Sequence, residues 1–434
     1  MTTDLSVHIH HVTRVEGHGD IVLDVKNGTI QQLQWQIVEA PRFFEAMLRG
    51  RHYSELRLIT SRICGICSIG HSLASLKATE DALNIKITEQ TQLLRRLAIN
   101  AENMQSHILH IGYLAAPDLL GVGSVVPLAG SKHHDVLLKI ITLHRLSNQM
   151  SNLICGRTTH PIRLVVGGFT KVPTTRQLED LKASLQETLP IAKDLVAVLQ
   201  SLHDKLPEFE RETEYIGLSN NKEYALYDGV MTSTDTGPFP EYKNYQSLMK
   251  EYVVPQSTAK YAKHARDSYL VGALARFNLN SRQLHPQAQE VAEYFDMHAP
   301  CYNPFLNTYA QMIEFVHNVE DSLQIINQLF TRGIKDEKPA TATPKSGRGV
   351  GIVEVPRGIL VHDYTLDKNG NCTKANCIIP TNQNHANIQL DMEQLVPTIL
   401  HKSEKDIELT LEMLVRAYDP CISCSTHYLT VRFV

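Results

Sequence analysis

Cys421 and Cys424 stand three residues apart in Asp419-Pro420-Cys421-Ile422-Ser423-Cys424-Ser425-Thr426-His427, close to the end of the chain. Two thiolates at that spacing can grip one metal ion, and a histidine three residues later can serve a second site. A single such pair is a weak signal. Near the other end lies a counterpart, Arg62-Ile63-Cys64-Gly65-Ile66-Cys67, followed by His71. A site built from both pairs has to be closed by bringing the two ends of the chain together. Four thiolates from two C-x-x-C pairs suit a structural zinc ion, yet zinc knuckles close short loops and these pairs bracket nearly the whole chain. Thiolates also suit nickel, iron and copper, and a bimetallic centre can share two of them as bridges. On spacing alone, structural zinc, a redox metal centre and no metal at all stay open.

The rest of the chain has to position these groups. With 434 residues and a hydrophobic fraction of 43%, it can bury a large interior. A formal net charge of −4 gives no basic nucleic-acid footprint. No apolar run reaches membrane-spanning length and no signal-peptide pattern opens the sequence, so a soluble cytoplasmic protein is expected. Eight cysteines in so long a chain are no disulfide scaffold. Cys155, Cys301, Cys372 and Cys377 stand singly and read as buried structural thiols. His8, His10 and His11 read as an exposed strand face.

Strands are predicted over 6–12, 19–25 and 30–38, with Asn27-Gly28 as a hairpin turn. Phe43, Phe44, Met47 and Leu48 give a short apolar helical face with Glu45 beside it. A second helix is expected from about Cys64 through Ala78. The spacing Leu94, Leu97, Ala101, Met104, Ile108, Ile111 predicts a long bundle helix, on which His107 and His110 read as polar bundle contacts. Val136 to Ile154 gives another. Thr174 or Thr175 caps a helix reaching Leu199, with a kink expected at Pro190. Residues 205–255 read as short strands and loops, 309–332 as a long helix, and 336–349 as a surface loop. Strands are expected at 351–355 and 358–364, and a helix over 407–417 delivers Asp419 and Cys421. The expected fold class is α+β: a central bundle of long antiparallel helices, an N-terminal β region and small peripheral sheets. One domain, 1–434, is expected, with the β region at about 1–40, a helical core at about 41–335, and C-terminal strands and metal-site segment at about 350–434.

Six phrases succeed one another in order: Arg14-Val15-Glu16-Gly17-His18-Gly19, Phe44-Glu45-Ala46, the first cysteine motif through His71, Glu354-Val355-Pro356-Arg357-Gly358, Ile378-Ile379-Pro380-Thr381, and the C-terminal motif. From about Val12 to His427 the chain resembles the large, catalytic subunit of [NiFe] hydrogenases. Gly-Pro-Phe-Pro-Glu (237–241), Ala-Lys-Tyr-Ala-Lys-His (259–264) and Ala-Tyr-Asp-Pro-Cys-Ile-Ser-Cys look most like the cytoplasmic NAD(P)-linked group, archaeal sulfhydrogenases included.

The resemblance implies Cys64 and Cys421 as terminal thiolates on nickel, and Cys67 and Cys424 as bridges to an iron carrying carbon monoxide and cyanide, Fe(CN)2CO. It implies heterolytic splitting of H2, with the proton passing by way of Cys421 and Glu16. Arg357 matches a guanidinium over the open metal position, with Asp419 and Asp118 hydrogen-bonding it. His71 would donate to a bridging sulfur, and Pro356, Pro380 and Thr381 would line the iron ligands. Glu45, His427 and the carbonyl of Cys377 match a magnesium (Mg) site. Electrons would leave through a small subunit bearing iron–sulfur clusters, with flavin and NAD(P) subunits as onward carriers. In the family, a maturation protease and nickel-insertion proteins act on the chain, the protease removing the residues beyond the histidine. Here Tyr428 to Val434 lie beyond His427, which implies an unprocessed chain or a member that keeps its tail. Two other readings remain: a non-catalytic homologue of the respiratory complex I type, which lacks the four cysteines present here, and a structural zinc protein.

Overall fold

The structure is a computed structural model that describes residues 4–426. Period-two alternation at the start gives an antiparallel meander of β1 (Leu5–Ile9), β2 (Gly19–Lys26) and β3 (Thr29–Ile37), turning at Asn27-Gly28 in the left-handed region. Short helices α1 (Phe44–Leu48) and α2 (Tyr53–Thr60) lead into α3 (Ser68–Leu83) and the long α4 (Glu89–Leu109). At His110 the hydrogen bonding of α4 widens into a π-helical turn, His110–Ala115, which runs into α5 (Ala116–Leu119). Then come α6 (His134–Cys155), the small β4 (Leu164–Val165) and β5 (Gly168–Phe169), and α7 (Thr175–Gln200). Thr174 caps α7 through a capping box with Gln177, and the helix continues through Pro190.

The middle of the chain forms β6 (Glu214–Ser219), β7 (Val230–Ser233), β8 (Gly237–Phe239), β9 (Lys250–Tyr252), β10 (Tyr261–Lys263) and β11 (Tyr269–Leu270). One sheet takes the order β11-β6-β7-β8, and β10 pairs with β9. Helices α8 (Ala273–Asn280), α9 (Pro286–Tyr294) and α10 (Asn307–Arg332) come next. The C-terminal part is an antiparallel sheet of β12 (Gly347–Val355), β13 (Gly358–Leu366) and β14 (Cys372–Ile378), then α11 (Pro380–Ile399), α12 (Glu404–Ala417) and α13 (Ile422–Ser425). This is the α+β arrangement expected: a helical centre flanked by small sheets, with no helix long and apolar enough to cross a membrane among the described residues.

Three differences have physical reasons. The helix expected from Cys64 starts only at Ser68, because the N–H groups of Ile66 and Cys67 turn onto Cys64 Sγ. Helix α2 spans only eight residues, too short a window for its apolar spacing to announce a helix. Helix α11 is buried on nearly every side and polar in sequence, its Asn and Gln side chains bonding backbone of neighbouring segments, so it shows no apolar stripe.

Helix α3 lies directly on β12. Ala74, Ala78 and Ala82 on one helix face meet Gly351, Gly349 and Gly347 on one strand face. A Cβ at these glycines would sit 2.0 Å, 2.1 Å and 2.4 Å from the carbonyl oxygens of Ala74, Ala78 and Ala82. Only hydrogen fits there, so backbone packs on backbone.

Candidate metal centre

Both cysteine pairs are buried and delivered by element ends. Cys67 sits at the N-terminal boundary of α3, where free N–H groups need an acceptor. Glu102 reaches across from α4 and accepts from Ile69 N–H at 2.6 Å and Gly70 N–H at 2.9 Å. Burial holds its carboxyl well above the usual range. On the other side, α12 ends at Ala417, and Asp419 takes a left-handed backbone (φ 49°) that turns the chain toward Cys421. The last carbonyls of α12 are taken by side chains: Arg416 O by His110 Nε2 at 2.7 Å, and Ala417 O by Asn307 Nδ2 at 2.8 Å. Thr381 Oγ1 accepts from Cys421 N–H at 3.0 Å.

The two ends meet through the Arg14–Gly19 phrase. Ile422 N–H donates to the carbonyl of Glu16 at 2.8 Å. Gly17, at φ 85°, has no room for a side chain, since a Cβ would lie 2.7 Å from Ser423 N. Arg42 ties the motifs together: its Nη2 donates to the carbonyls of Ile63 and Ser423, and its backbone N–H to Thr426 O.

Cys64, Cys421 and Cys424 bring their sulfurs within 4.8 Å of one another, and all eight cysteines are free thiols. Cys64 Sγ and Cys421 Sγ are 3.4 Å apart. Two thiolates on one metal with bonds of about 2.3 Å and a tetrahedral angle lie about 3.8 Å apart, so the spacing suits shared ligation. Cys67 joins through its N–H on Cys64 and its Sγ, 3.6 Å from Arg357 Nη1. Donation from Cys421, Cys424 and Cys67 holds the Cys64 thiol well below its ordinary value, against burial. The other three are pushed well above theirs, Cys67 by Cys64 and burial, Cys421 and Cys424 first by burial. Burial and mutual repulsion oppose ionising all four sulfurs together. A multivalent cation is what lets all four ionise in so dry a place, and the donor set fits a soft metal centre.

Around the sulfurs, Arg357 is held from beneath by Asp419, whose Oδ1 accepts from Nη2 at 2.7 Å and whose carbonyl accepts from Nε. Burial opposes the charge on Arg357, but Asp419 and the thiols outweigh it and keep the guanidinium protonated. Gln311 donates to the second Asp419 oxygen at 3.1 Å. Arg276 fixes the segment leading to Arg357 by donating to the carbonyls of Val355 and Pro356, while paired with Glu314 and Glu354. Glu16 Oε2 lies 3.1 Å from Cys421 Sγ and accepts from Ser423 N–H at 3.1 Å, and Oε1 faces Ser423 Oγ. His71 Nδ1 pairs with His362 Nε2 at 3.1 Å, and burial pushes its ring down to about 4, so it is neutral.

Asp118 is a correction. It does not bond Arg357; Arg14 and Arg416 take its two oxygens. Arg357 already has Asp419, two residues before Cys421, while Asp118 in α5 faces the Arg14 loop and α12. Pro380 starts α11 beside Thr381, and Pro356 turns the chain between β12 and β13. Glu45 Oε1 accepts from Cys377 N–H at 2.8 Å and is pushed up to about 7 by burial. His427 lies outside the described residues.

Several residues that shape the site were not expected there from sequence: Glu102, Arg42, Gln311, His110 and Arg276 carry no motif, and Ser423 sits inside the C-terminal motif without a role read from it. The usable signal was a charged or amide residue on the buried face of an otherwise apolar helix, as with Glu102 beside Ala101 and Gln311 beside Met312.

Comparison with known proteins agrees with this arrangement. The Nickel-dependent hydrogenase family model matches residues 42–137 and 222–427, and a HoxL-like model matches residues 6–40. The chain is 31% identical over 425 residues to the alpha subunit of sulfhydrogenase 1 from Pyrococcus furiosus, covering 98% of each chain. It is 31% identical over 457 residues to the F420-non-reducing hydrogenase vhc of Methanococcus voltae, covering 96% of this chain and 94% of the relative. The structure of an NAD+-reducing [NiFe]-hydrogenase in the H2-reduced state superimposes with a TM-score of 0.88 at 26% identity, covering 98% of this chain and 100% of the other. The chain belongs to the nickel-dependent hydrogenases, as a catalytic large subunit of the [NiFe] type acting on H2.

Proposed function

We propose that Cys64, Cys67, Cys421 and Cys424 would together hold a centre of nickel and an iron carrying carbon monoxide and cyanide, and that proton traffic passes from Cys421 to Glu16. When bound, such a centre supplies a redox-active Lewis acid at which H2 is split into protons and electrons. The observation that carries the reading is Cys421 Sγ at 3.1 Å from Glu16 Oε2, inside a cluster of four buried thiols drawn from both ends of the chain. Cys421 Sγ holds the proton first and Glu16 Oε2 receives it, with Ser423 keeping the carboxylate aimed. Arg357 keeps a fixed positive charge beside Cys67 in a water-excluded site, where it orients and stabilises charge developing there. Asp419 positions Arg357. Asp118 works one step back, pinning Arg14 and Arg416 and thereby the loop that carries Glu16.

Thr381, its hydroxyl already taking Cys421 N–H as acceptor, is left to donate its own hydrogen toward the iron ligands, with Pro356 and Pro380 as dry walls. Neutral His71, its Nδ1 engaged with His362, would have Nε2 left to donate toward a sulfur of the centre. Glu45 and the Cys377 carbonyl would hold a magnesium ion, a hard cation suited to oxygen ligands, with His427, outside the described residues, as the further ligand that the resemblance implies.

Family membership implies small-subunit partners, and the chain has no further cysteine pair to carry electrons away. The small subunit therefore bears the iron–sulfur clusters, and flavin and NAD(P) subunits complete a cytoplasmic enzyme. A maturation protease removes the residues after His427 once nickel-insertion proteins have loaded the metal. Metal analysis and infrared spectroscopy of the purified complex test the assignment. Stoichiometric nickel and iron with carbon monoxide and cyanide bands are expected; stoichiometric zinc without such bands would refute it. H2-dependent reduction of NAD+ and NADP+, compared with a viologen dye, tests the electron acceptor.

A further inference from the structure

Helices α4 and α10 run antiparallel and meet along a polar seam that ends at the metal site. Asn100 contacts Asp321, His107 contacts Glu314, and His110 contacts Gln311, in that order toward the site. The last pair differs from the others. Gln311 Nε2 donates to Asp419 Oδ2, so its amide oxygen faces His110 and can only accept. His110 Nδ1 lies 2.6 Å from that oxygen, and His110 Nε2 lies 2.7 Å from the carbonyl oxygen of Arg416. Both ring nitrogens face acceptors, but a neutral imidazole has a single N–H to give. Flipping the Gln311 amide would supply His110 with a donor, yet it would set an amide oxygen against the Asp419 carboxylate that already pairs with Arg357.

Three surroundings favour a cation on this ring. Both contacts are as short as charge-assisted hydrogen bonds. Arg416 O belongs to the last turn of α12, where carbonyl dipoles carry partial negative charge. Asp419 lies one amide away, balancing Arg357 on one oxygen and Gln311 on the other. The remaining charges nearby are paired among themselves, Arg416 with Asp118 and Arg276 with Glu314, while burial pushes His107, 2.7 Å from Glu314, down from its ordinary value. His110 also opens the π-helical turn, a deviation that tends to mark functional positions.

We propose that His110 is a buried imidazolium that acts through Gln311 as a positioning residue for the Asp419–Arg357 pair. This rests on the hydrogenase reading. With both nitrogens donating, the Gln311 amide has one orientation, Asp419 presents one plane, and Arg357 has one place to lie. A neutral residue at 110 releases that chain, and Arg357 loses its fixed relation to Cys67.

Joint neutron and X-ray diffraction of the deuterium-exchanged holoenzyme reads the ring directly. Two deuterons on His110 are expected, and one would overturn the proposal. His110→Asn and Gln311→Leu are each expected to slow H2/D2O exchange about tenfold, the scale of one lost charge-assisted hydrogen bond. Each should also shift the infrared bands of the metal ligands at unchanged nickel content. The double variant should be no worse than either single one, because both break one chain. Unshifted bands with nickel retained, or additive losses, would overturn it. Failure of the hydrogenase reading would show separately, as missing nickel and missing H2 chemistry in the unmodified complex.

Discussion

Glu16→Gln separates the chemistry of one carboxylate from its architecture. Glu16 receives three donors on two oxygens: Cys421 Sγ and Ser423 N–H on Oε2, and Ser423 Oγ on Oε1. Glutamine keeps the shape and one oxygen. Its oxygen stays where two donors converge, and its NH2 takes the Oε1 place. There Ser423 Oγ needs only to rotate its hydroxyl and accept. All three contacts survive with changed polarity, so the structural cost is about 0–1 kcal/mol, well within the effect of an exchanged hydrogen bond. The backbone link from Ile422 to Glu16 O is untouched. The metal centre should load normally. What vanishes is the ability to take a proton from Cys421, and losing a positioned acid–base group costs about 10²–10⁴-fold. The assay is H2/D2O exchange per bound nickel, with infrared bands confirming an intact centre. Exchange within about threefold of the unmodified enzyme would remove Glu16 from the proton route, as the lower end of that range already exceeds it. Glu16→Asp, one methylene shorter, should retain part of the rate that Glu16→Gln loses.

Other outcomes rest on the same geometry. Gly70→Ala puts a Cβ 2.1 Å from Val355 Cγ1 and 2.8 Å from Glu102 Oε1, and should cost about 1–3 kcal/mol, seen as a lower apparent Tm; an unchanged Tm would refute the packing argument. Arg42→Ala removes the bridge between Ile63 O and Ser423 O, and should speed nickel loss to a chelator while leaving the helical signal intact; equal loss rates would count against the tie. Burial pushes His317 down to about 4 from its ordinary 6.5, although Asp321 pulls the other way. The unfolded chain therefore binds the proton first: stability is full above about pH 6.5 and falls below it, by about 2 kcal/mol for this group at pH 5. His317→Gln should flatten the drop in apparent unfolding midpoint between pH 7 and 5 by that amount, and an unchanged slope would contradict the assignment.

How much could be read in advance differs from residue to residue. The cysteine pairs were legible because a three-residue spacing is local, and Glu16 and Arg357 because they sit in phrases that recur with those pairs. The long helices α4, α6, α7 and α10 showed themselves through apolar spacing. Helix α11 did not, because its contacts with neighbouring segments are made by amides. Asp118 was recognisable as a residue near the site, but its partner was decided by the approach of the Arg14 loop and α12, which no local pattern encodes. Glu102 and Arg42 were invisible for a related reason: each acts on a backbone group distant in sequence, and backbone groups carry no letter.

The alanine and glycine faces along which α3 meets β12 have a consequence for tuning. Helix α3 begins just after Cys67, and β12 ends just before Pro356 and Arg357. Main chain rests on main chain over three successive positions, so no rotamer lies between them to yield or to be exchanged. The main-chain anchors of Cys67 and Arg357 thus belong to one stiff girder, and the separation of those anchors is a property of backbone dimensions. Substitution can adjust the groups hung on that girder, such as Glu16, Asp419 or Thr381. The two main-chain anchors have little such freedom, since a side chain at Gly347, Gly349 or Gly351 cannot enter the joint without prising it apart; the guanidinium itself is left to be steered by Asp419.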